Sequence, residues 1–149
     1  MLMTWLYRIA VAAIFLFALR KGGEPERLVV TIIVAAAVLD GANHVIFGDP
    51  VFFAVNPGHL VIDTWAMLSM LWIALKANRG WPLWACAAQI IVVIGHVSKL
   101  IDLSVVRYGY FAMMQLPISI QAGAILAGTY AHVRRVERIG HYHAWRLAH

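Results

Sequence analysis

Residues 28–47 read LVVTIIVAAAVLDGANHVIF, and this stretch decides the fold. Across 28–39 the only polar side chain is the Thr31 hydroxyl. At ~1.5 Å per residue, a helix of ~20 mainly apolar residues matches the ~30 Å hydrocarbon thickness of a bilayer. The stretch therefore predicts a membrane-crossing helix. Asp40, Asn43 and His44 stand near its end. Charges in lipid cost several kcal/mol unless they are paired or hydrated, so these groups need a reason.

Outward from this stretch, segments of the same kind recur at 2–19, 60–75, 81–101 and 110–133, the third being the shortest. Breakers separate them: Gly22-Gly23-Glu24-Pro25, Gly48-Asp49-Pro50, Asn56-Pro57-Gly58, Asn78-Arg79-Gly80 and Tyr108-Gly109. The first segment imitates a signal peptide, yet Arg20 and Lys21 follow it and nothing basic precedes it before Arg8. That charge order is the reverse of a signal peptide's, so the segment reads as a retained helix. The expectation is an all-α integral membrane protein, a bundle of five transmembrane helices spanning 1–133. A basic interfacial tail, 134–149, follows it.

Composition supports this class. The chain has 149 residues, 62% of them hydrophobic and only 13% charged, too little polar surface to cover a soluble globule. A net charge of +5 would suit nucleic acid, but no phosphate loop, RNA-binding signature or zinc-finger spacing is present. The basic residues instead sit at segment ends, where they orient helices. With the N-terminus outside and the C-terminus cytoplasmic, Arg20, Lys21, Arg27, Lys76, Arg79, Arg134, Arg135, Arg138 and Arg146 fall inside. Arg8, Lys99 and Arg107 fall outside. A bacterial-type inner membrane is the expected location, with the lipid bilayer and anionic headgroups at the tail as partners. Trp81, Trp84 and Trp145 suit an inner aromatic belt; Trp5, Phe52, Phe53, Tyr108 and Tyr110 suit an outer one. The tail is expected to prolong the last helix toward the headgroups. Cys86, the only cysteine, reads as a packing residue.

The fixed orientation turns sequence position into depth. Asp40 and His44 lie four apart on an outgoing helix, and His59 and Asp63 four apart on the next, incoming one. His96, Lys99 and Asp102 follow at three-residue spacing on the fourth, and Gln115, Ser119 and Gln121 on the fifth, which Pro117 should kink. The inner half is expected to be almost wholly apolar. His59, directly after Asn56-Pro57-Gly58, reads as an interfacial loop residue, and His132 as interfacial. Arg8 should snorkel. Ser69 and Thr129 can bond back to their own helix.

Asp40, Asn43, His44, Asp63, His96, Lys99 and Asp102 thus form the candidate site. Three readings compete for it. The first is an outward-facing cavity binding or conducting a small ligand or ion, a proton or cation, because carboxylates and histidines alternate in such pathways. At this size the protein would act as a homo-oligomer or as a subunit of a larger membrane complex. The second is a divalent metal centre, zinc or iron, on Asp40, His44, Asp63 and His96, in which metal-bound water hydrolyses a lipid. Haem between His44 and His96 is a narrower variant. The third is a structural polar network, with Lys99 paired to Asp63 or Asp102. Five spans in such a chain and many tryptophans resemble the tryptophan-rich sensory proteins in size and composition. That family's tryptophan- and proline-rich stretch is missing, Trp81-Pro82-Leu83-Trp84 being too short, so no family is assigned. The preferred reading is non-enzymatic.

Overall fold

The computed structural model describes residues 2–47, 57–101 and 107–146. Their regular structure is five helices: α1 (Leu2–Lys21), α2 (Glu24–Phe47), α3 (Pro57–Lys76), α4 (Trp81–Ile101) and α5 (Arg107–Ile139). No strand occurs among the described residues. Asp102, Phe52 and Phe53 lie outside them. The first four helices have 20, 24, 20 and 21 residues, and each is long and apolar enough to cross a membrane. The 33-residue α5 is longer, and its last turns carry Arg134, Arg135, Glu137 and Arg138.

Local chemistry sets the ends. At the first turn of α2, Glu24 and Glu26 put negative charge against the positive end of the helix dipole. α3 begins at Pro57, earlier than the predicted 60, because a proline in the first turn loses no helical hydrogen bond. Pro117 is buried within an unbroken α5. Gly140 ends α5 with a left-handed φ of 74° while its N–H still bonds the Val136 carbonyl at 2.9 Å.

The chain after Gly140 corrects the expectation of a continuing helix. It turns back and pairs with the α3–α4 connection: the Asn78 N–H donates to the Ala144 carbonyl at 2.9 Å, and the Arg146 N–H to the Lys76 carbonyl at 2.8 Å. Trp145 packs on Trp72 with ring centres 5.4 Å apart and donates its indole N–H to Glu24 at 2.7 Å. The left-handed glycine makes this reversal cheap, and two aromatic rings hold it.

Neighbouring helices in sequence are neighbours in space, and α1 also lies against α5, so the bundle closes into a ring with α2 touching α5 across it. Its best-packed part, built from Ala18, Val29, Val30, Met70, Ile73, Ala85, Cys86 and Ile125, lies toward the end where α2 and α4 begin. α4 has the pattern expected of a helix that meets lipid. Its exposed side carries Trp84 (70% exposed), Ile94 (50%) and Leu100 (53%), whereas Gln89, His96 and Lys99 are buried. Such an inversion suits a helix that meets hydrocarbon outside and polar partners inside. Of the small residues on α5, Gly128 lies under Trp81, 2.5 Å from where its Cβ would stand, while Gly123 meets open space.

Candidate functional site

Two polar clusters occupy opposite ends of the bundle. The first forms where α2 ends, α3 begins and α4 nears its end. Asp40 and His44 share a face of α2, with His44 Nε2 3.5 Å from Asp40 Oδ2. His59, in the first turn of α3, brings Nε2 to 3.0 Å from Asp40 Oδ1. That approach is close but lacks hydrogen-bonding direction, and His59 Nε2 is buried with no hydrogen-bond partner among the described residues. The His44 and His59 rings meet edge to face at 4.8 Å. Gly58 permits this closeness, because a Cβ there would collide with the side chain of buried Asn43.

From His59 the polar groups lead inward. The His96 ring lies 6.1 Å from the His59 ring, and His96 Nε2 is 2.9 Å from Asp63 Oδ2. Facing an ionised carboxylate, which only accepts, Nε2 would be the donor of this pair. Gln89 donates to the other Asp63 oxygen at 2.9 Å, and Gln121 donates to Gln89 Oε1 at 2.8 Å. Gln121 finally lies 3.8 Å from Met70 Sδ, at the edge of the apolar core. Exposure falls from the Asp40 side chain (44%) through His59 (18%) to His96 (3%), and Asp63, which His96 contacts, is 24% exposed. The arrangement is a graded line from the half-exposed Asp40 carboxylate to the buried His96.

The residues singled out in the sequence therefore divide. Asp40 and His44 meet His59, and Asp63 meets His96 and Gln89. Lys99 is buried one turn beyond His96. Asp40, His44, Asp63 and His96 do not form one compact donor set. Among the described residues, the group whose potential ligand atoms all lie within 4.8 Å of one another is Asp40, His44 and His59. His59 is thus a member of the site and not a loop residue. Counting along the chain sets it a turn shallower than His44. Its real depth follows from α3 starting at Pro57 and from the tight Gly58–Asn43 contact.

The second cluster corrects the expectation of an apolar opposite half. Glu26 is fully buried; Arg79 bonds one of its carboxylate oxygens and the Trp81 indole N–H the other, at 2.8 Å. Arg79 also reaches His132 Nδ1 at 3.2 Å, and that nitrogen lies 2.8 Å from the Tyr142 hydroxyl. Arginine can only donate, so His132 Nδ1 is the unprotonated nitrogen here. Arg135 and Arg79 lie over the Tyr142 ring at 4.1 and 5.3 Å. Thr129, expected to bond its own helix, has a buried hydroxyl without a hydrogen-bond partner among the described residues. Chain position hid this cluster, since Glu26 beside Pro25 reads as a headgroup-level residue. The available signal was one of charge: two glutamates stand amid a basic end.

Between the clusters lie Met70, Ile73, Cys86 and Ile125, all buried. Along α4 the gap from Gln89 to Trp81 is about 12 Å of helix rise. Comparison with protein-family models, with curated proteins and with solved structures finds no match to this chain.

Proposed function

We propose that the chain is a non-enzymatic multi-pass membrane protein that takes up a small cation at the Asp40 end. In the simplest case a proton passes from there along His59, His96 and Asp63. The supporting observation is the graded line itself: titratable groups spaced for hand-over, running from a half-exposed carboxylate to a buried histidine. Met70, Ile73, Cys86 and Ile125 then act as a dry barrier before the Glu26 cluster.

In this reading α5 supplies a fifth span, the N-terminus faces outward, and the membrane is a bacterial-type inner membrane. Support comes from charge, because Arg20, Lys21, Arg27, Lys76, Arg79, Arg134, Arg135 and Arg138 gather at the Glu26 end. So small a bundle works as a homo-oligomer or as a subunit of a larger complex.

Purified protein in vesicles containing a pH-sensitive dye tests the reading. Proton uptake driven by a potassium gradient and valinomycin should exceed that of empty vesicles and fall to their level in His96→Ala. Uptake unchanged in both His96→Ala and His44→Ala sinks the proposal. A structural network is the second reading, because the Gln121–Gln89–Asp63 chain also ties α5, α4 and α3 together. It predicts that these variants lose thermal stability and that wild-type vesicles take up no more than empty ones.

A further inference from the structure

We propose that Asp40, His44 and His59 bind a divalent transition-metal ion of the zinc class, so that this metal is the cation the bundle accepts at its Asp40 end. The inference rests on the cation-uptake reading above and gives it a substrate class.

Donor chemistry is the first support. Two imidazoles and one carboxylate are ligands that zinc-like ions favour, whereas magnesium and calcium take oxygen donors. Geometry is the second. Zinc–ligand bonds of ~2.0–2.1 Å in a tetrahedron place donor atoms about 3.3 Å apart. The two contacts of Asp40, 3.0 Å to His59 and 3.5 Å to His44, bracket that value. All three donors lie within 4.8 Å of one another, so small side-chain rotations would complete the set.

The third support is unused bonding capacity. His59 Nε2 is buried 3.0 Å from an Asp40 oxygen yet makes no hydrogen bond among the described residues. Donors that stand side by side without bonding each other are placed as ligands of one ion are. Elsewhere in the cluster the capacity is consumed: Asp63 is held by His96 and Gln89. Three protein donors leave a fourth position for water or an incoming ligand, and the half-exposed Asp40 supplies the entry.

Zinc chloride titrated calorimetrically into the full-length protein in lipid nanodiscs tests this. One zinc per chain is expected. His59→Ala and His44→Ala should each weaken binding by more than about 100-fold, beyond the loss typical of an outer-shell partner. Asp63→Asn and His96→Ala should leave it unchanged. No saturable zinc, equal affinity in His59→Ala, or a loss appearing instead in Asp63→Asn overturns the site. His59→Gln, checked for native helical content and elution volume, replaces any alanine variant that fails to fold. X-ray absorption of the zinc-loaded wild type should show two imidazoles and a carboxylate; sulfur ligation or a single imidazole contradicts it. Proton uptake in chelator-treated vesicles separates the two readings. Uptake that persists where zinc fails to bind removes the metal site and leaves the relay standing.

Discussion

Glu26 shows how a single residue can hold one end of a membrane bundle. Its carboxylate is fully buried, and Arg79 and Trp81 satisfy its two oxygens. Glu26→Ala leaves the Arg79 cation without its anion, which costs about 3–5 kcal/mol for a buried pair. Trp81→Phe removes one donor and should cost less, about 1–3 kcal/mol. Denaturant titration in detergent micelles would rank them, and equal, negligible losses would refute the assigned role. Asp40 and His44 were legible at this scale, because four-residue spacing on a helix fixes a shared face. His59 was not, because its depth depends on how closely Gly58 lets α3 approach Asn43, a matter of packing and not of spacing.

Among the elements, α4 and α5 carry the tightest constraints. Gly128→Ala would push a methyl into the Trp81 ring, which Glu26 holds in place, whereas Gly123→Ala meets open space. The first should destabilise by about 1–3 kcal/mol. The second should be neutral or stabilising by up to about 1 kcal/mol, since alanine is the better helix former. Thermal unfolding of the two variants reads the contrast, and a reversed order would place the wrong face of α5 inward. The returning tail makes a separate prediction. Removing residues 141–149 deletes the Trp145 contacts with Trp72 and Glu24 and should lower Tm by about 3–8 °C. An unchanged Tm would make the tail a passive extension. Apolar length alone announced the helices. The reversal at Gly140 was hidden, because a lone glycine after a helix marks a stop without saying where the chain goes next.

For the whole molecule, the inverted character of α4 and the apolar exterior suit a bundle in lipid, and the proposed orientation rests on the charge at its ends. In a Cys86→Ser background, Gly109→Cys should react with a membrane-impermeant maleimide on intact cells, and Asn78→Cys only after permeabilisation. The opposite pattern reverses the orientation. The sequence showed one polar end, because clustered histidines and aspartates stand out in apolar segments. The other end was masked, since a buried ion pair and ordinary headgroup-level charges have the same composition. What remains is whether the graded line works or merely binds helices together. Asp63→Asn answers this most directly, because it keeps the shape and the acceptor for Gln89 while removing the charge facing His96. Proton uptake and Tm should be measured on the same vesicle preparations. The account predicts uptake at the empty-vesicle level with Tm shifted by only a few degrees. Uptake equal to that of wild type would contradict it.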